Sequence, residues 1–242
     1  MSRAVIIIPT YNHIDDCLRP CIESIIKYTN LNKKENGARV VVVANGCVDG
    51  TAQYLRHVAS IYPWLYYEII DEQLGYTKAV NIGLKRALQF EGFDRFVLLN
   101  NDVKLLEQQK NNWLEILESG FTHDKVGVTG VVMKRDEVVH HIEFLIFFCV
   151  MISRIAIETI GMLDEEFSPG FGDDIDFCER CRRGGFEVLR VPIGSIQTIV
   201  NNMYTCEFPI YHAGTKTFIT EPDYQEVINR NRRLLVKKHG LA

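Results

Sequence analysis

Apolar positions follow two rhythms through the first half of the chain. Residues 3–8 form a short unbroken apolar run closed by Pro9, and residues 39–44 form a second one rich in valine. Unbroken runs of this length mark strands buried on both faces, as in a parallel sheet. Between them Cys17, Leu18, Cys21, Ile22, Ile25 and Ile26 recur at helical spacing, with Asp15 or Asp16 placed to cap the start. The pattern then repeats. Asp49 stands ready to cap a helix over residues 50–60, residues 65–70 read as a strand, 77–90 as an amphipathic helix and 95–99 as a strand. This alternation predicts an α/β fold with a Rossmann-like, mostly parallel central sheet flanked by helices. Open sheets of that kind bind ligands beyond the carboxyl ends of their strands. Residues 9–12, 45–49, 71–76 and 100–102 are therefore the segments to inspect, and all four are polar or contain glycine.

From about residue 125 the rhythm changes. Residues 126–133 and 144–152 read as strands, 153–160 and 173–183 as helices, 187–192 and 193–200 as strands, and a last helix runs from Pro222 to about His239 before Gly240. No Pro/Gly/Ser-rich linker, internal repeat or low-complexity tract divides the chain. The expectation is one continuous domain over 1–242, with a nucleotide-binding half (1–102), an acceptor and catalytic half with a smaller sheet (103–220) and a C-terminal helix (221–242).

Composition narrows the class of partner. An apolar fraction of 47% suffices for a core, and a net charge of -4 with both signs scattered gives no footing for nucleic acid. A small-molecule partner fits better. The N-terminus runs straight into strand pattern without a secretory apolar region, and the run 144–152 is far shorter than the roughly 20 residues of a spanning helix. A cytoplasmic, soluble chain is expected. The basic residues of the last helix, Arg230, Arg232, Arg233, Lys237 and Lys238, read as a solvated face, with peripheral membrane contact as the alternative. Seven cysteines is an odd count, and Cys178 and Cys181 lack the second close pair that a structural zinc site needs, so reduced thiols are expected.

Three places carry candidate chemistry. Asp102 follows the apolar strand Phe96-Val97-Leu98-Leu99, where one carboxylate can hold a hard cation together with a diphosphate; Asn100, Asn101 and Asp102 also suit a plain turn. Asp173, Asp174 and Asp176 follow the glycine-rich Pro169-Gly170-Phe171-Gly172. Asp173 can cap a helix there, but three acids in four positions repel one another, and that repulsion raises a carboxylate's pKa as a general base requires. His212, in Tyr211-His212-Ala213-Gly214, is either structural or a metal ligand.

Seven short motifs occur in order. They are Pro9-Thr10-Tyr11-Asn12, Asn45-Gly46-Cys47-Val48-Asp49-Gly50-Thr51, Leu74-Gly75-Tyr76 with Asn81-Ile82-Gly83-Leu84, Leu99-Asn100-Asn101-Asp102, Gly161-Met162-Leu163-Asp164-Glu165-Glu166-Phe167, Gly172-Asp173-Asp174-Ile175-Asp176-Phe177-Cys178-Glu179-Arg180 and His212-Ala213-Gly214. Together they resemble the family 2 glycosyltransferases of GT-A fold, in particular the rhamnosyltransferase-like members. The resemblance implies an inverting transfer from a UDP-, dTDP- or GDP-linked sugar to a glycan or other hydroxyl acceptor, assisted by Mn²⁺ or Mg²⁺. It implies that Thr10, Tyr11 and Asn45 hold the base and ribose, with Pro9, Asn12, Asp49, Gly75, Tyr76, Asn81 and Asn101 in the same donor region. Asn100 and Asp102 match the ends of the DXD motif, so Asp102 is implied as metal ligand and His212 as its partner. Asp174 matches the usual base, while Asp173 stands where the family commonly has glutamate, which leaves Asp173 and Asp174 as competing bases. Lys78 is either an added positive charge near the donor or a solvated helix residue. Two rivals stand beside this reading. A sugar-phosphate nucleotidyltransferase needs a glycine-rich, arginine-containing loop after the first strand, which Pro9-Thr10-Tyr11-Asn12 lacks; a non-catalytic nucleotide-sugar or glycan-binding module has no use for the retained acids.

Overall fold

The computed structural model describes residues 3–32, 37–136, 142–191, 197–198, 204–205, 208–214 and 224–240. In chain order the elements are β1 (Ala4–Thr10), α1 (Arg19–Tyr28), β2 (Arg39–Asn45), α2 (Thr51–Ile61), β3 (Leu65–Ile70), α3 (Tyr76–Leu88), β4 (Arg95–Leu99), β5 (Val103–Leu105), α4 (Asn112–Ser119), β6 (Val126–Gly130), β7 (Met133–Arg135), β8 (Glu143–Leu145), β9 (Cys149–Ser153), α5 (Arg154–Ile160), α6 (Asp173–Arg183), β10 (Glu187–Arg190), β11 (Gln197–Thr198), β12 (Tyr204–Thr205), β13 (Ile210–His212) and α7 (Tyr224–His239).

The two unbroken apolar runs become β1 and β2, buried along their whole length. They pair in parallel, β3 adds beyond β2, and β4 adds on the other side of β1. Alternate residues serve opposite faces, as a pleated strand requires. Ile6, Ile8, Val40 and Val42 pack in the layer that holds Ile22 and Ile25 of α1, and Val5, Ile7, Val41 and Val43 in the layer that holds Ala79, Val80 and Leu84 of α3. β9 then enters antiparallel between β4 and β6, giving a seven-stranded sheet in the order β10-β6-β9-β4-β1-β2-β3. Small two-stranded sheets, β5 with β13 and β7 with β8, rise beside the carboxyl ends of the parallel strands. The fold is the expected α/β architecture.

Several local expectations are corrected. Neither Asp15 nor Asp16 caps the first helix. They lie inside a π-helical turn, Ile14–Leu18, that leads into α1, and the N–H of Ile14 donates instead to Asp49 Oδ2 at 2.9 Å. The other oxygen of Asp49 accepts from the Thr51 hydroxyl and N–H, so one carboxylate serves the starts of two helices. Asp173 is the first residue of α6, and the cap position is Gly172. The run 144–152 is two strands, because the turn at Phe147 and Phe148 takes its carbonyls elsewhere: Tyr76 Oη donates to Phe147 O and Asn100 N–H to Phe148 O. The run 126–133 likewise divides into β6 and the start of β7. Of the strand expected over 193–200 only Gln197–Thr198 is described, paired with β12; Pro192 and Pro222 lie outside the described residues.

α7 is more than an apolar stripe with a solvated basic face. Leu235 packs with Phe167 and Ile175, while Lys238 bridges Asp164 and Asp176, and His239 Nε2 lies 2.9 Å from Asp176 Oδ1. Arg180 Nε donates to the other Asp176 oxygen at 2.7 Å. Only part of the basic set, such as Arg233 and Lys237, is exposed. Cys178 and Cys181 lie buried on the inner face of α6, where burial pushes both thiols up, and no group of three metal-binding side chains includes them among the described residues. Among the described residues no helix is long and apolar enough to cross a membrane.

Asp176 is fully buried and answers two cationic groups, Arg180 and Lys238, together with the ring of His239. Removing one partner from a buried ionic cluster leaves the others desolvated and unpaired, which costs about 3 kcal/mol or more. Asp176→Ala is expected to lower the urea-unfolding free energy by about that amount; a loss below about 0.5 kcal/mol, the level of an ordinary surface substitution, contradicts the clamp.

Candidate active site

The carboxyl ends of β1, β2 and β4 and the first turn of α3 open onto a cleft of about 800 Å³, closed on its other side by residues 144–148, 168–175, His212 and α7. Pro9, Thr10, Tyr11, Asn45, Gly75, Tyr76, Lys78, Asn100, Asn101, Asp102, Asp173, Asp174 and His212 line it. Three of the expected donor residues do not. Asn12 accepts from the Val48 N–H, Asp49 holds the two helix starts, and Asn81 is buried with its amide bonded to Leu163 and Glu165. Their side chains are committed to holding loops in place behind the wall.

Asp102 follows β4 in a turn, and two backbone constraints aim it. Asn100 N–H donates to Phe148 O at 2.9 Å, and Ala213 N–H donates to Asp102 O at 3.1 Å. The antiparallel pairing of β5 with β13 sets His212 opposite Val103, which brings its imidazole alongside Asp102. The ring is further fixed by stacking on Phe148, with centroids 4.3 Å apart and planes 7° from parallel. Asp102 Oδ1 lies 3.2 Å from His212 Nε2, yet the two are not aligned as a hydrogen bond, and among the described residues neither atom, nor Asn100 Oδ1, has a hydrogen-bond partner. All three atoms are buried. A native fold rarely strands buried polar atoms, because each costs about 1–3 kcal/mol. Two oxygens and an imidazole nitrogen are donors suited to Mn²⁺ or Mg²⁺, and both ions commonly take one or two protein carboxylates and leave the remaining positions to phosphate and water.

On the other wall, Gly172 at φ 87° turns the chain into α6 and sets Asp173 and Asp174 in its first turn. Asp173 is buried, 4% exposed, with Oδ2 lacking a hydrogen bond, whereas Asp174 is half-buried and reaches the cleft. Burial raises both pKa values; Asp176 adds to the rise at Asp173, and Asp173 and Asp136 add to it at Asp174. Tyr76 lines the same cleft, and its hydroxyl is pushed up by burial and then by Asp173, Asp174 and Asp102. Among the described residues Lys78 is the lysine on the cleft wall.

The end of the cleft at β1 and β2 is stapled by side-chain hydrogen bonds. Asn45 accepts from Leu74 N–H at 2.7 Å and donates to Gly75 O at 3.3 Å, so the end of β2 holds the loop before α3. Asn101 donates to Thr10 Oγ1 at 2.8 Å, tying the β4 turn to the end of β1. Gly75 has φ 84°, and a Cβ there would stand 2.4 Å from Pro169 Cα. Only glycine lets this loop sit against residues 168–170.

Sequence reading missed Asp136, Gln73, Tyr224 and Val227, all of which line the cleft. Tyr224 and Val227 lie three apart on α7, a helical spacing that carries no label of function; Asp136 and Gln73 sit in stretches without periodicity.

The model of the family described as "Glycosyl transferase family 2" matches residues 5–178. No curated protein matches. Among solved structures the chain is similar to the mannosyltransferase PcManGT from Pyrobaculum calidifontis in complex with GDP-Man and Mn2+, at TM-score 0.59 and 18% identity over 78% of this chain and 55% of that one. It is similar to GalNAc-T7 with UDP, GalNAc and Mn2+, at TM-score 0.66 and 12% identity over 79% of this chain and 43% of that one. It is also similar to S. aureus TarS 1-349, at TM-score 0.55 and 17% identity over 84% of this chain and 59% of that one. The chain thus spans roughly half the length of these structures, whose GT-A architecture it shares.

A carboxyl whose pKa is higher in the folded than in the unfolded chain favours folding below the unfolded value, near 3.9, and that advantage is lost as pH rises through the folded value. Asp174→Asn removes the cost of ionising the crowded pair. Its melting temperature is expected to exceed that of the wild type by about 2–4 °C at pH 8, the shift of roughly 1 kcal/mol in a chain of this size, and by less at pH 4.5. An equal shift at both pH values contradicts a raised pair.

Proposed function

The chain belongs to glycosyltransferase family 2, and from that membership and the cleft we propose that it transfers a sugar, with inversion, from a UDP-, dTDP- or GDP-linked donor to a hydroxyl of a glycan or other acceptor. The observation that carries this reading is the set of three buried, unbonded ligand atoms on Asn100, Asp102 and His212 across the cleft from the Asp173/Asp174 pair. Membership alone supports a nucleotide-sugar glycosyltransferase; the inversion is proposed from the family resemblance, and the residue roles from that resemblance together with the cleft.

On this reading Asp102 and His212, with Asn100 as the weaker partner, hold Mn²⁺ or Mg²⁺. The ion, when bound, supplies positive charge to the departing diphosphate. Lys78 adds a second positive charge on the same wall. The nucleoside lies along the ends of β1 and β2, between Thr10, Tyr11 and Asn45, with Gly75 and Asn101 shaping the floor. Asp174 is the base, because of the two acids on the cleft wall it is the more exposed. Burial and mutual repulsion leave one proton shared by the pair near neutral pH, so one carboxylate is ionised. That carboxylate takes the proton of the acceptor hydroxyl as its oxygen bonds to the anomeric carbon, and the carbon's bond to the diphosphate oxygen breaks on the opposite side. A base in such a role contributes about 10²–10⁴-fold. One domain then carries both the donor and the acceptor halves.

The test is a screen of nucleotide sugars with Mn²⁺ or Mg²⁺ for slow donor hydrolysis. The wild type is expected to turn over at least one donor, Asp102→Ala to lose metal-dependent donor binding, and Asp174→Ala to bind donor while turnover falls about 100-fold or more. No turnover and no metal-dependent binding with any donor would sink the transferase reading and leave a non-catalytic module. An active Asp174→Ala beside a dead Asp173→Ala moves the base to Asp173.

A further inference from the structure

Asn231 lies on α7, beyond the segment 5–178 that matches the family, and its side chain is fully buried. Its Nδ2 donates to three carbonyl oxygens of one loop, Phe167 and Gly170 at 2.9 Å each and Phe171 at 2.8 Å. An amide has two hydrogens for these three acceptors, so one is shared. Its Oδ1 accepts from Arg230 Nε at 2.8 Å, and the Arg230 guanidinium also donates to Ser168 O. Every polar atom of the side chain is spent on holding residues 167–171 or on the arginine that helps.

This loop needs a brace. Phe171 has φ 73°, a left-handed conformation that costs a residue with a Cβ about 1–2 kcal/mol. Such conformations persist only where the surroundings over-determine them. The loop is also where two parts of the cleft meet. Pro169 O accepts from Tyr76 N–H and Ser168 Oγ donates to Leu74 O, while Gly172 O receives the Asp176 N–H that opens α6. Moving Phe171 therefore moves the start of α6 and its two acids.

We infer that Asn231 is a positioning residue of the transfer reaction: by gathering the carbonyls of residues 167–171 it fixes where Asp173 and Asp174 stand against the cleft. The inference rests on the transferase reading for its catalytic meaning. It does not touch substrate; it acts through the loop. Without the amide, the carbonyls of Gly170 and Phe171 lose this donor and that of Phe167 keeps only the Gly170 N–H, and a buried backbone acceptor left unpaired is enough to reshape a loop.

The experiment uses the full chain. Asn231→Leu keeps the branched shape and removes the donor, and Lys238→Ala loosens α7 at its other end, removing a cation over the Phe167 ring but no hydrogen bond to the loop carbonyls. For Asn231→Leu, kcat with whichever sugar nucleotide the wild type turns over is expected to fall at least tenfold at a temperature where the protein is folded by circular dichroism. Calorimetric binding of UDP or GDP with Mn²⁺ is expected to change less than threefold. Lys238→Ala is expected to lose less than threefold in kcat at a comparable loss of Tm. Amide exchange over residues 168–176 is expected to quicken at least tenfold in the Asn231 variant alone. Unchanged kcat and exchange, or equal losses of kcat in both variants, overturns the positioning role. If Asn231→Leu does not fold, Asn231→Ser is read against the same outcomes. If the wild type turns over no sugar nucleotide, the transferase reading falls, and the exchange measurement still decides whether Asn231 holds the loop.

Discussion

A buried carboxylate must be answered, and at Asp102 the described fold leaves one oxygen unanswered. One oxygen faces His212 Nε2 without bonding to it, and Asn100 Oδ1 is stranded nearby. The surrounding structure is arranged to keep this so. Asn100 is tied through its own N–H to Phe148, the Phe148 ring stacks on His212, and β13 is paired with β5 so that the imidazole cannot swing away. Each restraint is a backbone bond or a ring contact, leaving the ligand atoms themselves free. A site held open in this way is preorganised for a cation, which needs several donors pointed at one place and cannot use donors that are already bonded.

The acids that follow Gly172 show the opposite treatment of charge. Asp176 is fully buried, but Arg180 and Lys238 neutralise it and the His239 ring lies within hydrogen-bond distance, so its place in the sequence cluster is structural. Asp173 and Asp174 receive no such cations. Among the described residues the charged and titratable groups that act on them are Tyr76, Asp136, Asp176 and each other, and burial with repulsion raises both. One cluster thus divides into a clamp that docks α7 and a pair whose protonation is poised near neutrality. α7 serves both, through Lys238 and His239 at one end and Asn231 at the loop.

Much of this was legible from residue pattern, and the limits follow from range. Unbroken apolar runs mark β1, β2 and β4 because both faces of a central parallel strand are buried, and the position of Asp102 after such a run already placed it at the mouth of the sheet. The helix over Asp173–Arg183 was found with its bounds, since apolar spacing and a preceding glycine are local signals. The run 144–152 deceived because Phe147 and Phe148 are as apolar as a strand yet turn to meet Tyr76 and Asn100. The pairing that sets His212 by Asp102 joins residues more than a hundred positions apart through three-residue strands, too short for periodicity. Asn81 misled in the other direction: a motif position near the donor segment is spent on Leu163 and Glu165. Asn231 carries no local signal at all, because its three acceptors lie some sixty residues earlier in the chain.

The central claim is that Asp102 and His212 together hold a divalent cation under a nucleoside diphosphate. Electron paramagnetic resonance of Mn²⁺ titrated into the protein with UDP or GDP reads this directly, without knowledge of the sugar or the acceptor. The account predicts that the free-ion signal is quenched by the wild type, and that affinity falls at least tenfold in Asp102→Asn and by a smaller factor in His212→Ala. Equal Mn²⁺ affinity in the wild type and Asp102→Asn would contradict it.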